Sequence, residues 1–213
     1  MICGRYRYLV VEGPIGVGKT SLARRLAEHF QTTLLLEKPE ANPFLARFYE
    51  NPGRFALPTQ LFFLFQRVSE ARNLAQLDMF SEVTVSDFML EKDALFARLT
   101  LSDEEYDLYQ QVWRHLQPPL VPPDLVLLLQ ARPEVLAQRV RRRGNDFERG
   151  LGEEYLLRLG EAYGRFFHQY EAAPVLMVNS ETLNPVENPA DFDLLLERIG
   201  GMRGPREYFS RGS

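Results

Sequence analysis

Short runs of consecutive apolar residues alternate along this chain with longer stretches whose apolar positions recur every three or four residues. That is the rhythm of parallel strands covered by helices on both faces. The strand-length runs are Tyr6 to Val11, Leu34 to Leu36, Val83 to Val85, Leu125 to Leu129 and Val175 to Val178. Leu125 to Leu129 is uniformly apolar, which predicts a strand buried on both faces. Between these runs the spacing predicts a helix from Lys19 to about Phe30 and helical structure over residues 43–79, broken by Pro52, Gly53 and Pro58. Two helices follow Asp87, and others run from Pro133 to Arg143, from about Glu153 to Tyr170 and from about Pro189 to Ile199.

Local chemistry supports these boundaries. Ser102 stands three residues before Glu105 as a capping box, and Pro133 suits the first turn of a helix. The pairs Pro118-Pro119 and Pro122-Pro123 close the segment between the second of the paired helices and the fourth strand. The expected architecture is α/β, a five-stranded parallel sheet with helices on both faces, in a single domain over residues 1–200. Residues 201–213, rich in Gly and Arg with little apolar pattern, read as a loose tail. No internal repeat or linker is visible.

Composition narrows the function. A chain of 213 residues, 45% apolar and 25% charged, suits one ordinary globular domain. Its net charge of −4 offers no basic surface for a nucleic acid or an anionic membrane, so neither partner is expected. Any phosphate it handles must be held by a local cluster. Cys3 is the only cysteine, which excludes an intrachain disulfide. The first apolar run stops at Glu12, too short for a signal-peptide core or a membrane span. A cytoplasmic protein is expected.

That local cluster is legible. Gly13-Pro14-Ile15-Gly16-Val17-Gly18-Lys19-Thr20 satisfies G-x-x-x-x-G-K-[ST] between a predicted strand and a predicted helix. Backbone N–H groups in such a turn meet phosphate oxygens, and glycine tolerates the dihedrals and the close approach. The helix N-terminus adds its positive end. Lys19 is expected to reach the β/γ oxygens of ATP and Thr20 to coordinate Mg²⁺, with Ser21 completing the nucleotide-binding positions. A guanine-reading N-K-x-D is absent. A small P-loop protein with an arginine-rich segment late in the chain looks like a kinase of a small metabolite.

Four further motifs sharpen this: Glu37-Lys38-Pro39-Glu40 before Asn42-Pro43; Tyr49 through Gln60, followed by Arg67; Val83-Thr84-Val85-Ser86-Asp87-Phe88; and Arg139 through Glu148. Together with the P-loop they resemble the deoxynucleoside kinases, of the bacterial deoxyguanosine/deoxyadenosine kinase type. The resemblance runs from the P-loop to the last helix. It implies a P-loop kinase with an arginine-rich lid, using ATP and Mg²⁺ to phosphorylate a deoxynucleoside in nucleotide salvage, as a homodimer.

The resemblance also implies roles. Glu37 takes the proton of the 5′-hydroxyl, Tyr49 bonds the sugar 3′-hydroxyl, Gln60 pairs with the base, and Glu148 contacts the 3′-hydroxyl when the lid closes. Arg139 and Arg143 close over the transferring phosphoryl group, and the loop from Asn179 to Asn188 wraps the adenine. The residues themselves fit these roles to different degrees. A carboxylate at the carboxyl end of a parallel strand lies beside the crevice where ligands bind, although a solvated strand-end glutamate fits Glu37 too, and Glu40 is a weaker alternative. Gln60 offers a donor and an acceptor, and Arg67 lies two helical turns away on the same face. Their neighbours Leu61 to Phe65 argue that both are buried and therefore partnered.

Asp87 could hold Mg²⁺ directly or through water, or could simply initiate a turn. Phe88 stands where the wider family has an arginine, and Arg67 is the first candidate to replace that charge. Asp93 is a candidate reader of the base edge. Arg139 and Arg143 are one helical turn apart and so point to one side, with Arg141 and Arg142 turned to solvent. Asn145 replaces a further lid arginine carried by many members. Two rival readings are a nucleoside monophosphate kinase of the thymidylate type and a non-catalytic nucleotide-binding switch. The first is disfavoured because Glu37 and Glu148 would repel an acceptor phosphate.

Overall fold

In the computed structural model, which describes residues 5–77, 83–116, 120–145, 148 and 150–211, the apolar runs assemble into one sheet. Its strands are β1 (Tyr8–Glu12), β2 (Thr33–Leu35), β3 (Thr84–Ser86), β4 (Leu125–Gln130), β5 (Val175–Asn179) and β6 (Arg206–Phe209). They lie in the order β2-β3-β1-β4-β5-β6, and every neighbouring pair is parallel. The sheet therefore has six strands rather than five. The sixth comes from the segment expected to be a loose tail.

The physical reason is local. Residues 206–209 alternate between exposed and half-buried, so they carry one weak apolar face instead of a run. Phe209 packs against the main core, while Tyr208 is 54% exposed. The strand is held by its ladder to β5, Val175 opposite Arg206 through Val178 opposite Phe209. The Arg206 guanidinium adds bonds to the carbonyls of His168 and Tyr170.

The helices are α1 (Lys19–Phe30), α2 (Leu45–Glu50), α3 (Pro52–Leu77), α4 (Lys92–Thr100), α5 (Asp103–Leu116), α6 (Pro133–Arg143), α7 (Glu153–Gln169) and α8 (Pro189–Gly201). Pro52 opens α3 instead of breaking it, and Pro58 is carried inside that helix. Proline fits a first turn because its missing N–H has no partner there anyway. The capping box forms: Ser102 N donates to Glu105 Oε2 at 3.0 Å, and Glu105 N to Ser102 Oγ at 3.3 Å. Pro118, Pro119, Asp146 and Phe147 lie outside the described residues.

Alternation along β1 decides where the cores sit. Leu9 and Val11 face one layer with Leu22 and Leu26 of α1 and Leu195 of α8. Val10 faces the other with Leu159, Tyr163 and Phe167 of α7. A third cluster, built on α2, α3 and α5, stands beyond the carboxyl ends of the strands and walls a cleft there. Among the described residues no helix is long and apolar enough to cross a membrane.

Candidate active site

The glycine loop between β1 and α1 adopts the conformations its composition predicts. Gly13, Gly16 and Gly18 have φ of 145°, 83° and 105°. Two of them are also crowded. A Cβ on Gly13 would stand 2.4 Å from the Leu129 carbonyl oxygen, and one on Gly16 would stand 2.8 Å from Val140 Cγ2 and 2.9 Å from the Leu136 oxygen. The loop thus lies directly on β4 and α6, which couples the phosphate cradle to the arginine-bearing helix. Lys19 Nζ reaches back across the loop to the carbonyls of Gly13 at 2.8 Å and Pro14 at 3.2 Å. Burial, and then the nearby Lys92 ammonium, lower the Lys19 pKa to about 8.

Asp87, one residue past β3, joins three parts of the site. Its Oδ2 accepts from Thr20 Oγ1 at 2.5 Å, and its Oδ1 accepts from the backbone N–H of Glu37 at 2.8 Å. One hydroxyl and one carboxylate are hard oxygen donors, and the described residues hold no group of three or more His, Cys, Asp or Glu that could form a metal cage. Such a sparse set fits Mg²⁺, which keeps waters and leans on substrate phosphates.

Glu37 lies just beyond β2. Its Oε1 accepts from Arg67 Nε at 2.7 Å and pairs with Nη2 at 2.6 Å, while Lys92 Nζ stands 3.6 Å from Oε2. Burial alone would push the carboxyl up; the Arg67 and Lys92 charges overcome it and hold the pKa at about 2. Arg67 is itself fixed by Asp93, which also accepts from the Tyr109 hydroxyl, and by the Phe63 ring 5.0 Å from its guanidinium carbon. Both Asp93 oxygens are therefore occupied and the residue is fully buried. It supports Arg67 and does not border the cleft beside Glu37.

Two cations stand against the Glu37 carboxylate. Arg67 is one, and Lys92 at the start of α4 is the other. Lys92 Nζ is 3.0 Å from Glu12 Oε1, and Glu12 Oε2 accepts from Gly13 N at 2.8 Å and from the Tyr163 hydroxyl at 3.0 Å. Neither Lys92 nor Glu12 stands out as a site residue in the sequence. A usable signal exists: Lys92 shares a helical stripe with Leu95, Phe96 and Leu99, an inward face on which a lysine needs a partner.

A cleft opens over Lys19, Thr20, Glu37 and Asp87. Tyr49, Gln60, Arg67, Arg143 and Glu148 line it with the apolar side chains of Leu45, Phe48, Phe63, Phe96 and Tyr155. The Gln60 Oε1 and Thr59 Oγ1 atoms are buried here without a hydrogen-bond partner. A buried amide oxygen so placed is suited to a ligand that brings a donor.

Arg139 and Arg143 take different partners, although both border a second cleft next to Val17 and Gly18. Arg143 pairs with Glu148 at the mouth of the first cleft. Arg139 instead donates to Ser180 Oγ at 3.0 Å, to the Ser180 carbonyl at 2.7 Å and to the Val17 carbonyl at 3.3 Å. The second cleft is formed by Val17, Gly18 and Ser21 on one side and Leu183 to Glu187 on the other. Arg142 borders this second cleft as well, 3.8 Å from Glu187, with its side chain turned to solvent as expected. Arg141 also turns outward, to the exposed Glu153.

A family model described as deoxynucleoside kinase matches residues 9–201. Similar curated proteins include the deoxyguanosine kinase of Bacillus subtilis, 29% identical over 90% of this chain and 95% of its own length. The deoxyadenosine kinase of Lactobacillus acidophilus is 27% identical over 84% of this chain and 88% of its own. The deoxyadenosine kinase from M. mycoides with bound dATP shares the fold with a TM-score of 0.77 at 20% identity, over 91% of this chain and all of that one.

Proposed function

The chain belongs to the deoxynucleoside kinase family, and we propose that it moves the γ-phosphate of ATP to the 5′-hydroxyl of a purine deoxynucleoside in nucleotide salvage. The observation that carries this reading is the Asp87 carboxylate, which ties the Glu37 backbone to the Thr20 hydroxyl of the P-loop. A carboxylate for an acceptor alcohol and a cradle for a triphosphate are thereby held in one rigid corner. Tyr49, Gln60 and Glu148 hold the sugar and base of the acceptor, whose uncharged end suits a site bearing two carboxylates. The names of the relatives favour deoxyguanosine or deoxyadenosine. A cytoplasmic homodimer is part of the same reading, supported by the family resemblance.

In this site Gly13, Pro14, Ile15, Gly16, Val17, Gly18, Lys19, Thr20 and Ser21 grip the triphosphate, with its base in the second cleft. Thr20 and Asp87 would hold Mg²⁺, which would neutralise charge on the bound triphosphate. Glu37 stays ionised throughout the working pH range and orients the hydroxyl. That suits a loose, metaphosphate-like transition state, which needs alignment more than early proton removal. Arg143, and Arg139 through the P-loop wall, neutralise the developing charge.

The test is a panel of the four deoxynucleosides, their ribo-counterparts and their monophosphates with ATP–Mg²⁺. Transfer to purine deoxynucleosides is the expected result. Faster transfer to a monophosphate would refute the acceptor assignment, and tight ATP binding without any transfer would refute catalysis.

The Lys19 pKa adds a pH prediction. The cationic form binds the triphosphate, so kcat/KM for ATP should decline as pH rises through about 8, with kcat less affected because bound phosphate favours the charged lysine. Initial rates between about pH 6 and 10 check this. A flat profile would contradict it.

A further inference from the structure

Just beyond β6, Ser210 and Arg211 lie against the loop that walls the second cleft and the helix that follows it. Ser210 Oγ lies 3.1 Å from Thr182 Oγ1. Arg211 Nη1 donates to Asp191 Oδ1 at 2.9 Å, and Asp191 Oδ2 accepts from the Asn184 backbone N–H at 2.9 Å. Asp191 sits in the first turn of α8, where the helix dipole favours its charge, and its side chain is 4% exposed. Asn184 opens the cleft-lining stretch Asn184 to Glu187. That stretch is also held from α1, where Arg25 Nη1 reaches the carbonyls of Pro185 and Val186.

We propose that Arg211 and Asp191 are positioning residues for the phosphate donor: through Asn184 they set the wall of the cleft in which the nucleoside of ATP sits. The inference rests on assigning that cleft to the donor. Two features separate this role from general support of the fold. The Arg211 side chain is 54% exposed, so its ion pair contributes little to global stability. Neither residue borders the first cleft, so the deoxynucleoside side is untouched.

The experiment compares Arg211→Ala, Arg211→Lys and Asp191→Asn with the unaltered protein, measuring kcat, KM for ATP and for the best deoxynucleoside, and equilibrium binding of ATP–Mg²⁺. Arg211→Ala and Asp191→Asn should raise KM and Kd for ATP about three- to fivefold, the upper part of what a half-exposed ion pair is worth. Deoxynucleoside KM and kcat should stay within about twofold. Arg211→Lys should recover most of the ATP affinity. Unchanged ATP binding in Arg211→Ala overturns the inference, as does an equal rise in both KM values with a lowered Tm. If the unaltered protein phosphorylates deoxynucleosides but Arg211→Ala behaves like it, the inference alone fails. If the unaltered protein transfers no phosphate, the reading beneath it fails too.

Discussion

Glu37→Gln should lower turnover by about 10²–10⁴-fold with the fold intact, the usual loss for an absent general base. The charge balance around the residue explains both halves of that expectation. Four carboxylates, those of Glu12, Glu37, Asp87 and Asp93, face three cations, Lys19, Arg67 and Lys92. Removing the charge of Glu37 leaves three against three. Arg67 keeps its bond to Asp93 and Lys92 keeps Glu12, so no buried cation is stranded. The amide is the same size and still accepts from Arg67, but it no longer offers an anionic acceptor to the alcohol. The KM for the deoxynucleoside should therefore move little while kcat collapses, and Tm should stay near that of the unaltered protein. Near-normal turnover would remove Glu37 from the role. Glu40, the alternative in the sequence, is exposed in the short helical turn Pro39–Ala41 and borders neither cleft.

How far this site can be read without coordinates depends on the range of the interaction concerned. The glycine loop is legible because its requirement is local: successive backbone conformations that one short motif encodes. The burial of Gln60 and Arg67 is legible because they border the apolar run Leu61 to Phe65, although Gln60 Oε1 finds no partner among the described residues. The partners themselves come from distant segments. Arg67 meets Asp93 across 26 residues, Asp93 in turn accepts from the Tyr109 hydroxyl, and no periodicity announces either contact. Arg139 and Arg143 share a helical face by spacing, yet Ser180 captures the first and Glu148 the second. The sixth strand escapes for a related reason. Four residues with one weak apolar face acquire strand character from the ladder of β5, which exists only once the sheet is assembled.

Lys92→Met should destabilise the protein by about 3–5 kcal/mol, the usual cost of breaking a buried ion pair by removing one partner. Lys92 is 1% exposed and Glu12 is fully buried. Without the ammonium, Glu12 retains neutral donors, the N–H groups of Gly13 and Met89 and the Tyr163 hydroxyl, but faces no cation at bonding distance. Denaturant unfolding measures the loss. The second variant, Glu12→Gln with Lys92→Met, removes both charges and should recover much of the stability, because desolvating the pair offsets most of its attraction. Catalysis should not recover with it. Lys92 Nζ stands 3.6 Å from Glu37 Oε2, so both variants lose one of the cations that fix that carboxylate beside the nucleophile. A double variant that folds well and turns over slowly would separate the structural task of Lys92, neutralising Glu12, from its task at Glu37. A single variant as stable as the unaltered protein would show that the Glu12 carboxylate does not depend on Lys92.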